Sequence, residues 1–396
     1  MTRLWDKGAP LDERVLRYTA GEDYVLDERL VRYDVRASIA HAEMLHAQQL
    51  LSAEDLKHIC AGLSALADEH ARGLWHIELA DEDGQSALEQ RLTARIGAAG
   101  ARIHLGRSRN DQVLTALRLY LRDAIGELHD GTQHLVQALE RLSARQGATA
   151  LPGYTHMQQA MPSSVALWAG GYAAEFMDDA LGLESARRRV EKNPLGSAAG
   201  YGAPGLPLDR AATTQALGFA QAHEPVTAVQ LSRGKAEAQL LFELALLMGD
   251  MGRMAADLLL FYTQEFAFIE LPEDFTTGSS IMPQKRNPDV FELVRARSAT
   301  ALAALTEALA ICAKLPSGYQ RDLQLLKFPL FRGIDLALQT LDIVAAALDA
   351  LKFRSERIRL DPAIHAAGEA YAMVLADGIP FREAYRRVAT RHKRKD

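Results

Sequence analysis

From Asp111 to Arg145 the apolar positions Leu114, Leu117, Leu121, Ala124, Leu128, Gly131, Leu135, Ala138 and Leu142 recur at steps of three and four. That spacing lays them along one face of a helix with 3.6 residues per turn, and the unbroken run predicts one very long helix. Four more long helical segments follow: Ser163 to Lys192, Arg233 to Gln264, Asp289 to Lys314 and Pro329 to Phe353. Several are apolar around much of their circumference, so they need neighbours on several sides. Five such helices predict an all-α protein built on an elongated bundle, and the residual apolar faces predict bundles packed together in an oligomer. No blocks of strand alternation and no short-period repeats interrupt the pattern. The chain reads as three parts: a more polar N-terminal helical domain over 1–105, the central long-helix bundle over 106–353, and a short C-terminal helical domain over 354–396.

Composition narrows the function classes. The 396 residues carry a formal net charge of -6, which argues against generic nucleic-acid binding. The one basic run, His392 to Lys395, reads as a solvated end. Cys60 and Cys312 lie far apart and outside any CxxC or Cys/His cluster, so neither a disulfide framework nor a metal site is expected. Reduced thiols and an N-terminus, MTRLWDKGAP, without an apolar signal core predict a cytoplasmic protein. The most apolar stretch, Leu240 to Tyr262, carries Glu243, Asp250, Arg253 and Asp257. It therefore reads as a buried helix and not a membrane span.

The unusual chemistry sits in the breaks between helices. The strongest string runs Thr277-Gly278-Ser279-Ser280-Ile281-Met282-Pro283-Gln284-Lys285-Arg286-Asn287-Pro288-Asp289. Gly278 is free to adopt backbone conformations closed to other residues, so Gly-Ser-Ser can expose successive N–H groups as an anion-binding nest. Two hydroxyls and Lys285 follow within seven residues, and Pro288 starts the next helix near its first turn. A lone Gly-Ser-Ser is more often a capping loop; the whole string offers donors, a fixed cation and a loop able to close. A second break, Gly106-Arg107-Ser108-Arg109-Asn110-Asp111-Gln112, opens the first long helix. Its basic pair suits a dicarboxylate, with Asn110 or Asp111 as the helix cap. A third, Gly153-Tyr154-Thr155-His156-Met157-Gln158, sets a histidine beside a hydroxyl. A single histidine is more often structural, but between two bundle helices this one becomes a proton-transfer candidate. The fourth, Leu315 to Gln324 with Lys327 after it, reads by itself as a polar Pro/Gly loop.

The first of these strings resembles the signature loop of the fumarase/aspartase superfamily, whose substrates lose a group anti to a carboxylate and yield fumarate. Its Met-Pro-Gln-Lys-x-Asn-Pro-Asp form is similar to that of the argininosuccinate lyases and their lens relative, delta-crystallin. Ser-Arg-Asn-Asp-Gln and Gly-Tyr-Thr-His-x-Gln match the same family in order. The resemblance covers about residues 30 to 390. It implies a fumarase/aspartase-like helical fold and elimination of fumarate from argininosuccinate to give arginine. It implies no metal and no cofactor, and a homotetramer with sites built from three protomers. Carried over residue by residue, it makes His156, Ser279, Lys285 and Glu292 catalytic. It gives Ser108, Arg109, Asn110, Thr155, Asn287, Tyr319, Gln324 and Lys327 to the substrate. The chain departs from the family pattern at four places: Gln85 stands where a His is frequent, Ala20-Gly21-Glu22-Asp23 replaces an Asn-Ala-Ser-like turn, Glu224-Pro225-Val226-Thr227 replaces Asn-Ser-x-Asp, and Met161 precedes Pro162. These leave open how the arginine end of the substrate is held, and whether the substrate is an acylated analogue.

Loss of a proton next to a carboxylate leaves a carbanion that delocalises into a doubly charged aci-form, which Lys285 and the Gly278–Ser280 N–H groups are suited to stabilise. A base and an acid must face opposite sides of the substrate, and Ser279 and His156 are the two candidates. By resemblance Ser279 is the base, His156 serves the acid side directly or through a water, and Glu292 orients His156; residue chemistry alone leaves the direction open. Glu292 also reads as a helix-start carboxylate favoured by the dipole. The competing readings are another fumarate-releasing lyase, such as adenylosuccinate lyase, and a non-catalytic crystallin-like protein. Gln284 and the Tyr319 loop speak against the first, and retention of Ser279, His156 and Lys285 against the second.

Overall fold

The computed structural model describes residues 12–392; the N-terminal decapeptide and most of the basic tail lie outside them. The helices of eight residues or more, in chain order, are α1 (Glu13–Ala20), α2 (Val31–Ala47), α3 (Ala53–Ala71), α4 (Gly84–Ile96), α5 (Arg109–Gln146), α6 (Val165–Val190), α7 (Arg210–Leu217), α8 (Lys235–Tyr262), α9 (Asp289–Cys312), α10 (Lys327–Ala350), α11 (Ala366–Asp377) and α12 (Phe381–Arg391). α5, α6, α8, α9 and α10 are the five long helices expected from periodicity. Eight of the nine positions of the first seam are buried. The ninth, Gly131, is half-buried, and a Cβ there would stand 3.1 Å from Leu341 Cδ1 on α10. No helix among the described residues is long and apolar enough to cross a membrane.

The chain divides into two compact units: residues 1–129, 181–245 and 300–336, and residues 130–180, 246–299 and 337–396. The boundaries fall within the five long helices. In unit 1, α2, α3 and α4 close a core of Leu45, Ile59, Leu63, Leu88, Leu92 and Ile103. Ser52 caps α3 and Asp83 caps α4, each accepting a backbone N–H of the first turn. In unit 2, α11 and α12 pack through Ala370, Ala384 and Val388.

Short strands are present, which the sequence pattern did not suggest. β1 (Ala150–Thr155) and β2 (Gln158–Ser164) form an antiparallel hairpin, in which Pro152 lies opposite Pro162 and a bulge falls at Gly153/Tyr154. Proline and glycine normally argue against a strand. They are tolerated here because a two-stranded ribbon consists only of edges, so a missing N–H breaks no inner ladder. β3 (Lys192–Asn193) pairs in parallel with β4 (Gln221–Ala222), and β5 (Ile269–Glu270) antiparallel with β6 (Lys352–Phe353).

Candidate active site

In unit 1 the Gly106–Gln112 motif caps its own helix. The Ser108 N–H donates to Asp111 Oδ1 (2.9 Å), and the Asn110 N–H donates to Ser108 Oγ (3.3 Å). Ser108 is thus the cap and Asp111 its reciprocal partner, which corrects the assignment of the cap to Asn110 or Asp111. Asp111 Oδ2 also accepts from the N–H groups of Gly196 (2.9 Å) and Ala198 (2.8 Å), tethering the loop after β3 to the start of α5. Burial pushes the Asp111 carboxyl up to about 6 in spite of these donors. Behind the motif, buried Arg107 donates to Ser38 Oγ (2.8 Å), and Gln112 Nε2 donates to Asp34 Oδ1 (2.9 Å). Burial raises Asp34 to about 6 against the pull of the Arg107 charge. Arg109 Nη1 donates to Asp83 Oδ2 at 2.7 Å. A cavity of about 460 Å³ opens in front, lined by Gln85, Ser86, His104, Ser108, Arg109 and Arg321, among others. Gln85 is buried, and its Nε2 has no hydrogen-bond partner.

An acidic group adjoins this basic one. Asp27 Oδ2 accepts the N–H of Gly84 (3.1 Å), the residue after Asp83. Asp27 Oδ1 accepts from Lys327 Nζ at 2.6 Å, and Asp23 Oδ1 stands 3.0 Å from the same nitrogen. All three side chains are buried. Two carboxylates face one ammonium, so the group gains net negative charge as Asp23 ionises. Burial pushes Asp23 up to about 7, against the pull of Lys327. Burial works against the Lys327 charge as well, yet Asp27 and Asp23 outweigh it and leave the ammonium pKa raised. Asp27 escaped the motif reading, and Asp23 entered it only within a departure from the family pattern; their spacing of four in a short helical stretch was the available signal. Gln324 Nε2 is spent on the carbonyls of Thr19 (2.9 Å) and Ala20 (3.2 Å), which leaves its Oε1 for a ligand. Tyr319 is half-buried, with the Arg233 guanidinium 6.0 Å from its ring centroid.

In unit 2, His156 and Met157 are the two residues of the β1–β2 turn. Both have positive φ, 51° and 61°, as a two-residue type I′ hairpin turn requires. His156 therefore stands on a hairpin tip, exposed, and not in an irregular break between helices. Tyr154 stacks on Phe266 (6.2 Å between centroids), and Gln159 Nε2 donates to the Arg359 carbonyl (3.0 Å), fixing the hairpin's base. Thr155, the last residue of β1, is exposed.

The Thr277–Asp289 loop is pinched at its neck. The Thr277 N–H donates to the Asn287 carbonyl (3.1 Å), the Asn287 N–H to the Thr277 carbonyl (2.8 Å), and Asn287 Nδ2 to the Gly278 carbonyl (3.2 Å). At the tip, Ser279 Oγ accepts the N–H groups of Met282 (3.2 Å) and Ile281 (3.4 Å). Gly278 does not have positive φ, and a Cβ there would meet nothing within 4 Å; the need for a special glycine conformation is corrected. Lys285 is exposed, and Glu292 lies exposed in the first turn of α9. Among the described residues no hydrogen bond or ion pair joins His156, Ser279, Lys285 and Glu292 to one another. No three His, Cys, Asp or Glu side chains gather as a metal-ligand set among the described residues.

Residues 13–302 match the model of a lyase family. The chain is 47% identical to the argininosuccinate lyase of Sorangium cellulosum over 389 residues, 98% of this chain and 90% of that protein. It is 45% identical to that of Xylella fastidiosa over 390 residues, 98% and 87% of the two chains. Among solved structures, a variant of EDDS lyase with bound fumarate superposes with a TM-score of 0.80 at 24% identity, over 97% of this chain and 76% of that one. The class II fumarase of Schistosoma mansoni gives 0.79 at 16% identity, over 98% and 91%. These two structures share the fold.

Proposed function

The chain belongs to the argininosuccinate lyase family, and on that premise we propose that it splits argininosuccinate into fumarate and arginine by anti-elimination, the step that completes arginine biosynthesis. The observation that carries the reading is the side-by-side placement of opposite charges. Arg109 and its cavity adjoin, through Asp83 and Gly84, a buried acidic pair, Asp23 and Asp27. A substrate with an anionic succinate end and a cationic arginine end fits that pairing. In this reading Asp23, one of the departures from the family pattern, faces the arginine end.

Ser108, Arg109, Asn110, Thr155 and Asn287 take the substrate's carboxylates and polar groups; Tyr319, the Oε1 of Gln324 and Lys327 complete the pocket around the arginine end. Ser279 removes the proton. Two N–H groups already directed at its Oγ favour the oxyanion and so lower the cost of using a hydroxyl as base. Lys285 and the N–H groups of Gly278–Ser280 stabilise the aci-carboxylate. His156, oriented by Glu292, serves the departing nitrogen. These groups assemble between protomers of a homotetramer. In support, no hydrogen bond or ion pair joins His156, Ser279, Lys285 and Glu292 to one another among the described residues of one chain, and large apolar side chains stand exposed one turn apart on the bundle helices: Met177 and Leu181 on α6, Phe242 and Leu246 on α8. The free thiols Cys60 and Cys312 suit a cytoplasmic setting.

Ultraviolet detection of fumarate tests the reaction on purified protein offered argininosuccinate or adenylosuccinate, before and after chelation. Turnover of argininosuccinate that survives chelation is expected. Turnover of adenylosuccinate alone, or dependence on added metal, would overturn the assignment.

A further inference from the structure

A second cavity of unit 1 takes no part in this reaction. It measures about 270 Å³, and its wall carries Arg118, Arg189, Lys192, His223 and Lys235. Among the described residues no carboxylate lines it, and the two nearest acids lie behind its wall. Glu191 pairs with Arg187 (3.3 Å), while Glu237 accepts the Gly234 N–H (2.8 Å) and faces Arg233 (3.9 Å).

Arg118 is the deepest of the cations, 1% exposed. Its Nη1 donates to the Lys192 carbonyl (2.5 Å) and to His223 Nδ1 (3.0 Å), and its Nη2 donates to Ser232 Oγ (2.5 Å). Every one of these acceptors is neutral, and Nε has no partner. Burial pulls the guanidinium down to about 10, with Glu237 holding it up, so it stays charged at neutral pH. Burial and the Arg118 charge pull His223 down to about 4. The imidazole is then neutral, and because Nδ1 accepts from Arg118, its proton is on Nε2. Lys235 and Ala236, the first residues of the 28-residue helix α8, also line the cavity, which adds the positive end of a helix dipole. Arg118 thus has only neutral hydrogen-bond acceptors and a partial charge balance from Glu237, against which four cations share the cavity wall, so the space favours an added anion.

We propose that this cavity binds a compact oxyanion carrying two or more negative charges, of the phosphate or dicarboxylate class, at a site separate from the reacting groups. Four cations around one small space call for more than one negative charge. Among the described residues the wall has no Phe, Tyr or Trp on which a nucleobase would stack. The departure from the family pattern at Glu224–Thr227 lies between His223 and Ala228, both on this wall.

Calorimetric titration of the full chain at low ionic strength tests the proposal. Inorganic phosphate is one arm. Fumarate is the other, read in an Arg109→Gln chain, where binding in the substrate pocket is weakened. Phosphate should bind at one site per chain and weaken by roughly tenfold or more in Lys192→Gln/Lys235→Gln, the scale of two lost charge-assisted bonds, and change little in Arg109→Gln. Weakening by Lys192→Gln/Lys235→Gln in the fumarate arm alone would make the dicarboxylate the occupant of the same site. No binding in either arm, or loss in Arg109→Gln with Lys192→Gln/Lys235→Gln unaffected, would overturn the proposal. Unaltered circular dichroism of the double variant keeps misfolding apart from lost binding. None of these outcomes bears on the lyase assignment, which the fumarate assay tests through other residues.

Discussion

In the proposed reaction Ser279 is the side chain that removes the proton. Its hydroxyl accepts two loop N–H groups and stands half-buried at the tip of a neck-pinched loop. Ser279→Ala should lower kcat by at least about 100-fold, the low end for acid–base catalysis, with argininosuccinate binding preserved in calorimetry. Near-normal turnover would move the role to Ser280. Asp23 makes a different prediction. Its carboxyl is raised to about 7 in the folded chain from 3.8, so between those values the folded state holds the proton and the unfolded state does not. Its contribution is therefore fully present below about pH 4 and is lost as pH rises through about 7. Asp34 and Asp111 act in the same sense, and His41, pulled down to about 3 by burial, in the opposite one, so parent and variant must be compared. Denaturant midpoints of Asp23→Asn should fall less than the parent's between pH 4 and 7. Parallel curves would refute a raised Asp23.

At the scale of elements, the turns fix what the helices carry. Gly234 enters α8 with φ +82°, and a Cβ there would lie 2.1 Å from Cys312 Sγ. Left-handed strain and overpacking together should make Gly234→Ala destabilising by about 2–5 kcal/mol, read as a lowered denaturant midpoint with an unchanged slope. An unshifted midpoint would mean that α8 and the end of α9 separate freely. The hairpin carrying His156 is the opposite case. Two non-glycine residues are held in the left-handed region, at about 1 kcal/mol each, because Tyr154 and Gln159 anchor the strands below. Nothing in Gly-Tyr-Thr-His-Met-Gln announces a two-residue turn, since such turns usually advertise themselves with Asn-Gly or Asp-Gly. Periodicity, by contrast, located the ends of the five long helices to within three residues, because contacts between i and i+4 write burial directly into local order.

At the scale of the whole molecule, the segments joining the long helices alternate between the two compact units. The segments before α5, between α6 and α8, and between α9 and α10 belong to unit 1; those between α5 and α6 and between α8 and α9 belong to unit 2. Asn110 thus falls in unit 1, and His156 and Ser279 in unit 2. If complete sites form between protomers, His156→Asn and Ser279→Ala chains, each inactive alone, should regain part of the activity when unfolded and refolded together. Mixed tetramers proven by tagged co-purification yet inactive would place His156 and Ser279 in the same chain's contribution. The order of motifs along the chain determined the family, the long helices and the loops that hold the chemistry, because each rests on residues near one another in sequence. Only the tertiary structure decided that Lys327 is neutralised by Asp23 and Asp27 some 300 positions away, and that Arg118, Lys192, His223 and Lys235 share one cavity. Charge pairing and burial depend on distance in space, and a local pattern of hydrophobic and polar residues carries no record of which distant segment will supply the partner.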